Sequence, residues 1–163
     1  MFVYLDSSAV IKRYLEEDGS GPIDLLYDGL EVEDSNVLAF SVWNVGEVLG
    51  AMDTRHRRGD LDDAALAEAV RLFAQETKKL VAMKKLRVSP MGSEVFSDSW
   101  DLVLKHHIYQ ADALQIATSR QIGADILLSA DRKLLECAKK EQIQTANPES
   151  DGEKIGALSR TKD

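Results

Sequence analysis

The chain has 163 residues, 44% of them hydrophobic, and carries 28 acidic against 20 basic side chains for a net charge of −8. That length suits one domain with a sizeable core. The acidic balance argues against nucleic-acid binding through bulk charge, and a single cysteine, Cys137, excludes an internal disulfide or a cysteine-rich metal centre.

Taken in order, Phe2-Val3-Tyr4-Leu5 is an apolar run without polar alternation, the pattern of a strand buried on both faces in a parallel sheet. Asp6-Ser7-Ser8 ends it, and a helix is expected to about residue 17, capped by Ser7 or Ser8. Asp18 to Gly21 reads as a turn. A second helix follows, capped by Ser20, with Pro22 in its first turn and Ile23, Leu25, Leu26 and Leu30 inward. After the acidic stretch Glu31 to Asp34, Val37 to Phe40 is the second strand, closed by Ser41. Val42, Val45, Val48, Leu49 and Met52 recur at helical spacing up to Gly59. Asp60 or Asp62 caps a long helix over residues 63–84, with Leu66, Val70, Phe73, Leu80 and Met83 inward.

Leu86 to Ser89 is a weaker strand, and helices are expected over residues 93–106 and 108–122. Residues 126–129 form the fourth strand, 131–141 a helix and 143–145 a last short strand before Asn147-Pro148. The domain therefore spans residues 1–148, and residues 149–163 read as a polar, flexible tail. Strands alternating with helices give a three-layer α/β/α domain with a mainly parallel sheet of about five strands. No apolar run is long enough for a membrane span and no secretory signal opens the sequence, which favours a cytoplasmic protein.

Position relative to the strands sorts the acids. Asp6 follows the first strand and Asp131 the fourth, so both fall at the carboxyl edge where open α/β sheets keep their sites. Glu47 and Asp112 stand among apolar neighbours on helices, where an unpaired carboxylate is costly and calls for a partner or a cation. Each has a plainer reading. Asp6, Asp112 and Asp131 could be helix caps, and Glu47 could be half of a salt bridge. Read together, four hard oxygen donors suit Mg²⁺ or Mn²⁺, which would polarise a phosphoryl group and activate water. Asp98 and Asp101 are expected to face solvent, and His106-His107 to end a helix rather than pair on a metal. Two basic groups, Arg55 to Arg58 and Lys78, Lys79, Lys84, Lys85 and Arg87, read either as solvated helix faces or as a rim for a phosphate backbone.

Four stretches in this order resemble PIN-domain ribonucleases, above all the VapC-type toxins. They are Tyr4-Leu5-Asp6-Ser7-Ser8-Ala9, Ser41 with Val45-Gly46-Glu47-Val48, Asp112-Ala113-Leu114-Gln115-Ile116-Ala117, and Leu127-Leu128-Ser129-Ala130-Asp131. The resemblance implies that Asp6, Glu47, Asp112 and Asp131 form an acidic quartet for one or two divalent ions. It implies that Ser7, Ser8 and Ser129 orient those acids or contact the phosphate. It further implies hydrolysis of RNA, a homodimer, and inhibition by a small antitoxin. The alternative is a PIN module without catalysis that binds RNA or protein. A phosphatase that starts from an acid after its first strand needs a second Asp two residues on, and that position is Ser8.

Overall fold

The computed structural model describes residues 1–31 and 36–158; most of the acidic stretch from Glu31 to Asp34, and the end of the chain after 158, lie outside the described residues. Five strands form one sheet: β1 (Phe2–Leu5), β2 (Val37–Ser41), β3 (Leu86–Ser89), β4 (Ile126–Leu128) and β5 (Thr145–Ala146). Their order is β3-β2-β1-β4-β5 and every pairing is parallel, so the sheet is wholly rather than mainly parallel. β1 is central, pairing Val3 with Leu38 on one side and with Ile126 on the other.

The absence of polar alternation in β1 has a direct cause: both faces are covered. Successive side chains point to opposite faces. Val3 and Leu5, Leu38 and Phe40, and Ile126 and Leu128 join one core, whereas Tyr4, Ala39 and Leu127 join the other. The first core is completed by α1 (Ser7–Val10), α2 (Ser20–Asp28), α3 (Val42–Arg58), α4 (Asp63–Ala82) and α8 (Gly152–Leu158). The second is completed by α5 (Ser93–His106), α6 (Gln110–Gln121) and α7 (Arg132–Lys140). The three layers expected from the alternation of elements are present.

Several local expectations change. Asp6, not Ser7 or Ser8, caps α1, accepting from the Ala9 amide at 2.9 Å. α1 passes into a 3₁₀ turn at Ile11–Arg13 instead of running to residue 17, and the Lys12 ammonium folds back onto the Asp18 carbonyl at 2.7 Å. Gly19, not Ser20, occupies the cap of α2, at φ 86°. An added Cβ there would lie 2.8 Å from the Pro148 carbonyl carbon, so the turn packs flush on the end of β5. Leu25 and Met83 are exposed rather than inward, and Val42 and Leu49 are exposed as well. His106 ends α5 and His107 follows it in the left-handed region.

The expected flexible tail is corrected for residues 152–158. They form α8, which packs on α2 and buries Ile155 completely. One isoleucine in a polar stretch is too sparse a pattern to announce a docked helix, yet it fills the first core beside Ile23 and Leu26.

Candidate active site

Moving outward from β1, the chain proceeds to β2 and β3 on one side and to β4 and β5 on the other. The reversal falls between β1 and β4, where an open α/β sheet leaves a crevice at its carboxyl edge. A cleft of about 440 Å³ lies there, lined by Asp6, Ser7, Ser8, Glu17, Glu47, Arg55, Asp112, Gln115 and Asp131 among others. All four acids singled out by position therefore meet in one cavity, together with Ser7 and Ser8. Ser129 joins them from behind by holding Asp6.

Asp6 is almost fully buried and held on three sides. Its Oδ1 accepts from the Ser8 hydroxyl at 2.7 Å and the Ala9 amide at 2.9 Å, and its Oδ2 from the Ser129 hydroxyl at 2.8 Å. Burial disfavours its charge and pushes its pKa up to about 6; the three hydrogen bonds oppose that push, and the charge of Glu47 adds to it. The two serines also lace the strand ends together. Ser8 Oγ accepts from the Ala130 amide at 2.8 Å, and Ser129 Oγ accepts from the Asp131 amide at 2.9 Å. Asp131 itself caps α7, accepting from the amides of Lys133 and Leu134 at 2.8 and 3.1 Å. Asp6 and Asp131 thus both cap a helix and line the cleft.

Glu47 Oε2 accepts from the Ser7 hydroxyl and, at 3.0 Å, from Gln115 Nε2. Among the described residues no salt bridge accounts for it; two neutral donors fix it instead. Asp112 lies in the first turn of α6 but does not cap it, since Tyr109 holds the cap position. It is half-buried, and its pKa is raised by burial first and then by the charges of Asp131 and Glu47, with Lys133 opposing.

Beneath the acids lies a buried network centred on Asn44 and Gln115, for which no role was expected. Asn44 is wholly buried in the first turn of α3, where it forms a capping box with Ser41: the Ser41 amide donates to Asn44 Oδ1 at 2.8 Å. Asn44 Nδ2 donates to Ser7 Oγ and to Gln115 Oε1, each at 3.0 Å. The Tyr4 hydroxyl donates to Gln115 Oε1 at 2.7 Å, and burial raises its pKa well beyond the usual phenol range. Gln115 therefore ties Tyr4 and Asn44 to Glu47. The Ser41-x-x-Asn44 spacing was the available signal for one member; a glutamine inside the apolar run Ala113 to Ala117 was the signal for the other.

The basic groups divide. Arg55 lines the cleft, whereas Arg57 pairs with Asp53 at 2.8 Å on the surface. α4 crosses from the carboxyl edge of the sheet back to its amino edge, so Lys84 and Lys85, just before β3, stand at the end opposite the cleft. They form no rim for it. A second hollow of about 490 Å³, lined by Arg13, Tyr14, Glu76 and Lys79 among others, holds none of the four acids. There Arg13 is paired with Asp24, Asp28 and Glu76.

The donor set fits a hard divalent cation. Four carboxylates face one cavity, and like charges together with burial hold Asp6 and Asp112 partly against ionisation, a cost that a cation would relieve. Among the described residues no group of three or more His, Cys, Asp or Glu stands close enough together to hold a metal ion as placed. Mg²⁺ does not require such a group, because it keeps several waters and is held through one or two carboxylates. No helix among the described residues is long and apolar enough to cross a membrane.

Comparison with known proteins gives one consistent picture. The family model described as "PIN domain" matches residues 3–140. Ribonuclease VapC45 of Mycobacterium tuberculosis (strain CDC 1551 / Oshkosh) is 29% identical over 134 residues, spanning 81% of this chain and 85% of that protein. Among solved structures, PAE2754 from Pyrobaculum aerophilum superposes with a TM-score of 0.67 at 16% identity, over 96% of this chain and 90% of that one. VapC20 of Mycobacterium tuberculosis, described as a sarcin-ricin loop cleaving toxin, gives 0.57 at 16% identity, over 82% and 93%. At such identities the structures speak for the fold.

Proposed function

The chain belongs to the PIN-domain family, and from that premise we propose that it is a metal-dependent endoribonuclease, the toxin of a toxin–antitoxin pair. The observation that carries the reading is the convergence of Asp6, Glu47, Asp112 and Asp131, from four separate segments, on one cleft at the sheet's switch point. The 29% identity to a protein named as a ribonuclease supports the same activity.

These four carboxylates would hold Mg²⁺ or Mn²⁺. Such an ion would polarise a phosphoryl oxygen and lower the pKa of water so that hydroxide is available to attack phosphorus. The chain's own work is to fix the donors. Ser8, Ser129 and the Ala9 amide hold both oxygens of Asp6, and Ser7 and Gln115 hold Glu47 from the opposite wall. Asp131 is exposed and fixed by its own helix cap, and Asp112 is half-buried. Carboxylates held by neutral donors keep their charge available to a cation and need little rearrangement to receive it.

A small antitoxin as partner and a homodimer belong to the same proposal. Val42, Trp43 and Leu49 on α3 and Trp100 and Leu104 on α5 are large apolar side chains left exposed, which pairing with another chain would cover. The test is cleavage of single-stranded RNA with Mg²⁺ or Mn²⁺ by the parent chain and by Asp112→Asn. Cutting by the parent and none by a folded Asp112→Asn is the expected result. A variant that cuts as well as the parent removes Asp112 from the site. A parent that binds RNA with either ion but leaves it intact is a non-catalytic PIN module.

A further inference from the structure

On the reading that this cleft cuts RNA, we infer that Arg55 is a substrate-binding residue. Its guanidinium grips a phosphate next to the one being attacked, and Glu17 sets its position.

The cleft poses an electrostatic problem. Its lining includes five acids, Asp6, Glu17, Glu47, Asp112 and Asp131, and one cation, Arg55. A polyanion entering it meets repulsion that a net charge of −8 does nothing to offset. The basic residues at the amino end of β3 stand at the opposite edge of the sheet, and Arg57 is paired on the surface. Of the described residues lining the cleft, only Arg55 can meet a phosphate with positive charge.

Its place along α3 decides which phosphate. Glu47, Ala51 and Arg55 recur every four residues, share one face of the helix, and all line the cleft. Eight residues at 1.5 Å per residue put the Cα atoms of Glu47 and Arg55 about 12 Å apart. Ala51, small and between them, leaves the floor open. The helix thus carries an acidic station and a basic station along one track, and a strand with its scissile phosphate at the first presents a neighbouring phosphate to the second.

Arg55 is also held, rather than loose in solvent. One terminal nitrogen donates to Glu17 Oε2. Glu17 is anchored from behind by Lys12, whose ammonium is 2.9 Å from Oε1 and whose side chain is only 3% exposed. Lys12 also pairs with Glu149 at 3.0 Å and donates to the Asp18 carbonyl, so its charge opposes that of Glu17 from within the protein. The Arg55 side chain keeps 36% of its surface exposed, and a guanidinium's five donors in a rigid fork suit two phosphate oxygens while a third partner orients it.

The experiment is steady-state cleavage of a single-stranded oligoribonucleotide with Mg²⁺ over a salt series, by the parent, Arg55→Ala, Arg55→Gln and Arg55→Lys, with Asp112→Asn alongside. Arg55→Ala should raise KM about 10-fold with kcat within about twofold, and should lower the slope of log KM against log salt by about 0.7, the loss of one phosphate contact. Arg55→Lys should keep the parent slope. If Arg55→Ala melts well below the parent, Arg55→Gln carries the same expectation at full side-chain length. An unchanged KM and slope, or a fall in kcat at constant KM, overturns the assignment. Cleavage by the parent and none by Asp112→Asn leaves the ribonuclease reading standing whatever Arg55 shows, whereas a parent that cuts no RNA overturns both.

Discussion

The Ser129 hydroxyl donates to Oδ2 of Asp6 at 2.8 Å, joining residues 123 positions apart and locking the end of β4 to the end of β1. The bond stabilises the ionised form of Asp6 against the burial that disfavours it. Ser129→Ala should therefore raise the Asp6 pKa further above about 6. Measured as kcat/KM against pH, the acid limb should move to higher pH, with activity at pH 8 largely kept and activity at pH 6 reduced severalfold. An acid limb that does not move would show that Asp6 ionisation does not govern the rate.

Asp6 also makes the cation-free protein sensitive to pH in a direction opposite to that of a salt-bridged aspartate. Its folded pKa of about 6 exceeds the ordinary 3.8. Between those values the folded chain binds a proton that the unfolded chain does not, so the group's contribution is full below about pH 4 and lost as pH rises through about 6. In the presence of a chelator, Asp6→Asn should melt several degrees above the parent at pH 7.5, and the gap should close towards pH 4. Its amide oxygen can still accept from Ser8 and Ala9. Equal melting temperatures at pH 7.5 would mean that the carboxylate carries no such cost.

Divalent ions should relieve the same cost. At 100 times its dissociation constant, a bound ion stabilises by about 2.7 kcal/mol, which for a chain of this size is roughly 5–10 °C in melting temperature. Mn²⁺ titrated against thermal unfolding should give that rise in the parent and a much smaller one in Asp112→Asn. Equal shifts in the two proteins would place the ion elsewhere.

Gln115 offers a test of the buried network. Gln115→Leu keeps the volume but removes the acceptor for Tyr4 and Asn44 and one donor to Glu47. Leaving those groups short of partners should cost about 1–3 kcal/mol in denaturant unfolding. With Glu47 less firmly held, kcat should fall about 10-fold or more while the circular dichroism spectrum is preserved. Full kcat in a destabilised variant would confine the network to stability.

The parts of this molecule that could be read in advance are those where one residue's chemistry conflicts with its surroundings. A carboxylate closing an apolar strand, as Asp6 does, or standing on an apolar helix face, as Glu47 and Asp112 do, is anomalous in one dimension, and the fold brings the anomalies together. Asn44 and Gln115 are uncharged, and their importance lies in partners 37 to 111 positions away, which no local pattern encodes. Arg55 sat inside a basic run whose members looked equivalent; only the face of α3 on which each falls separates it from Arg57. The docking of α8 was hidden for a related reason, since Ile155 has meaning only opposite α2.

The position of β1 has a further consequence, for the newly made chain. β1 pairs with β2 about 35 residues later but with β4 only after more than 120, and half of the acidic cleft is attached to that last pairing. Such distant contacts form late in folding, once the entropy of closing the intervening loop is met. A ribosome-bound fragment holding Asp6 and Glu47 but lacking Asp131 has the first wall of the site and not the second. Catalytic competence should consequently appear late in translation, when β4 docks beside β1.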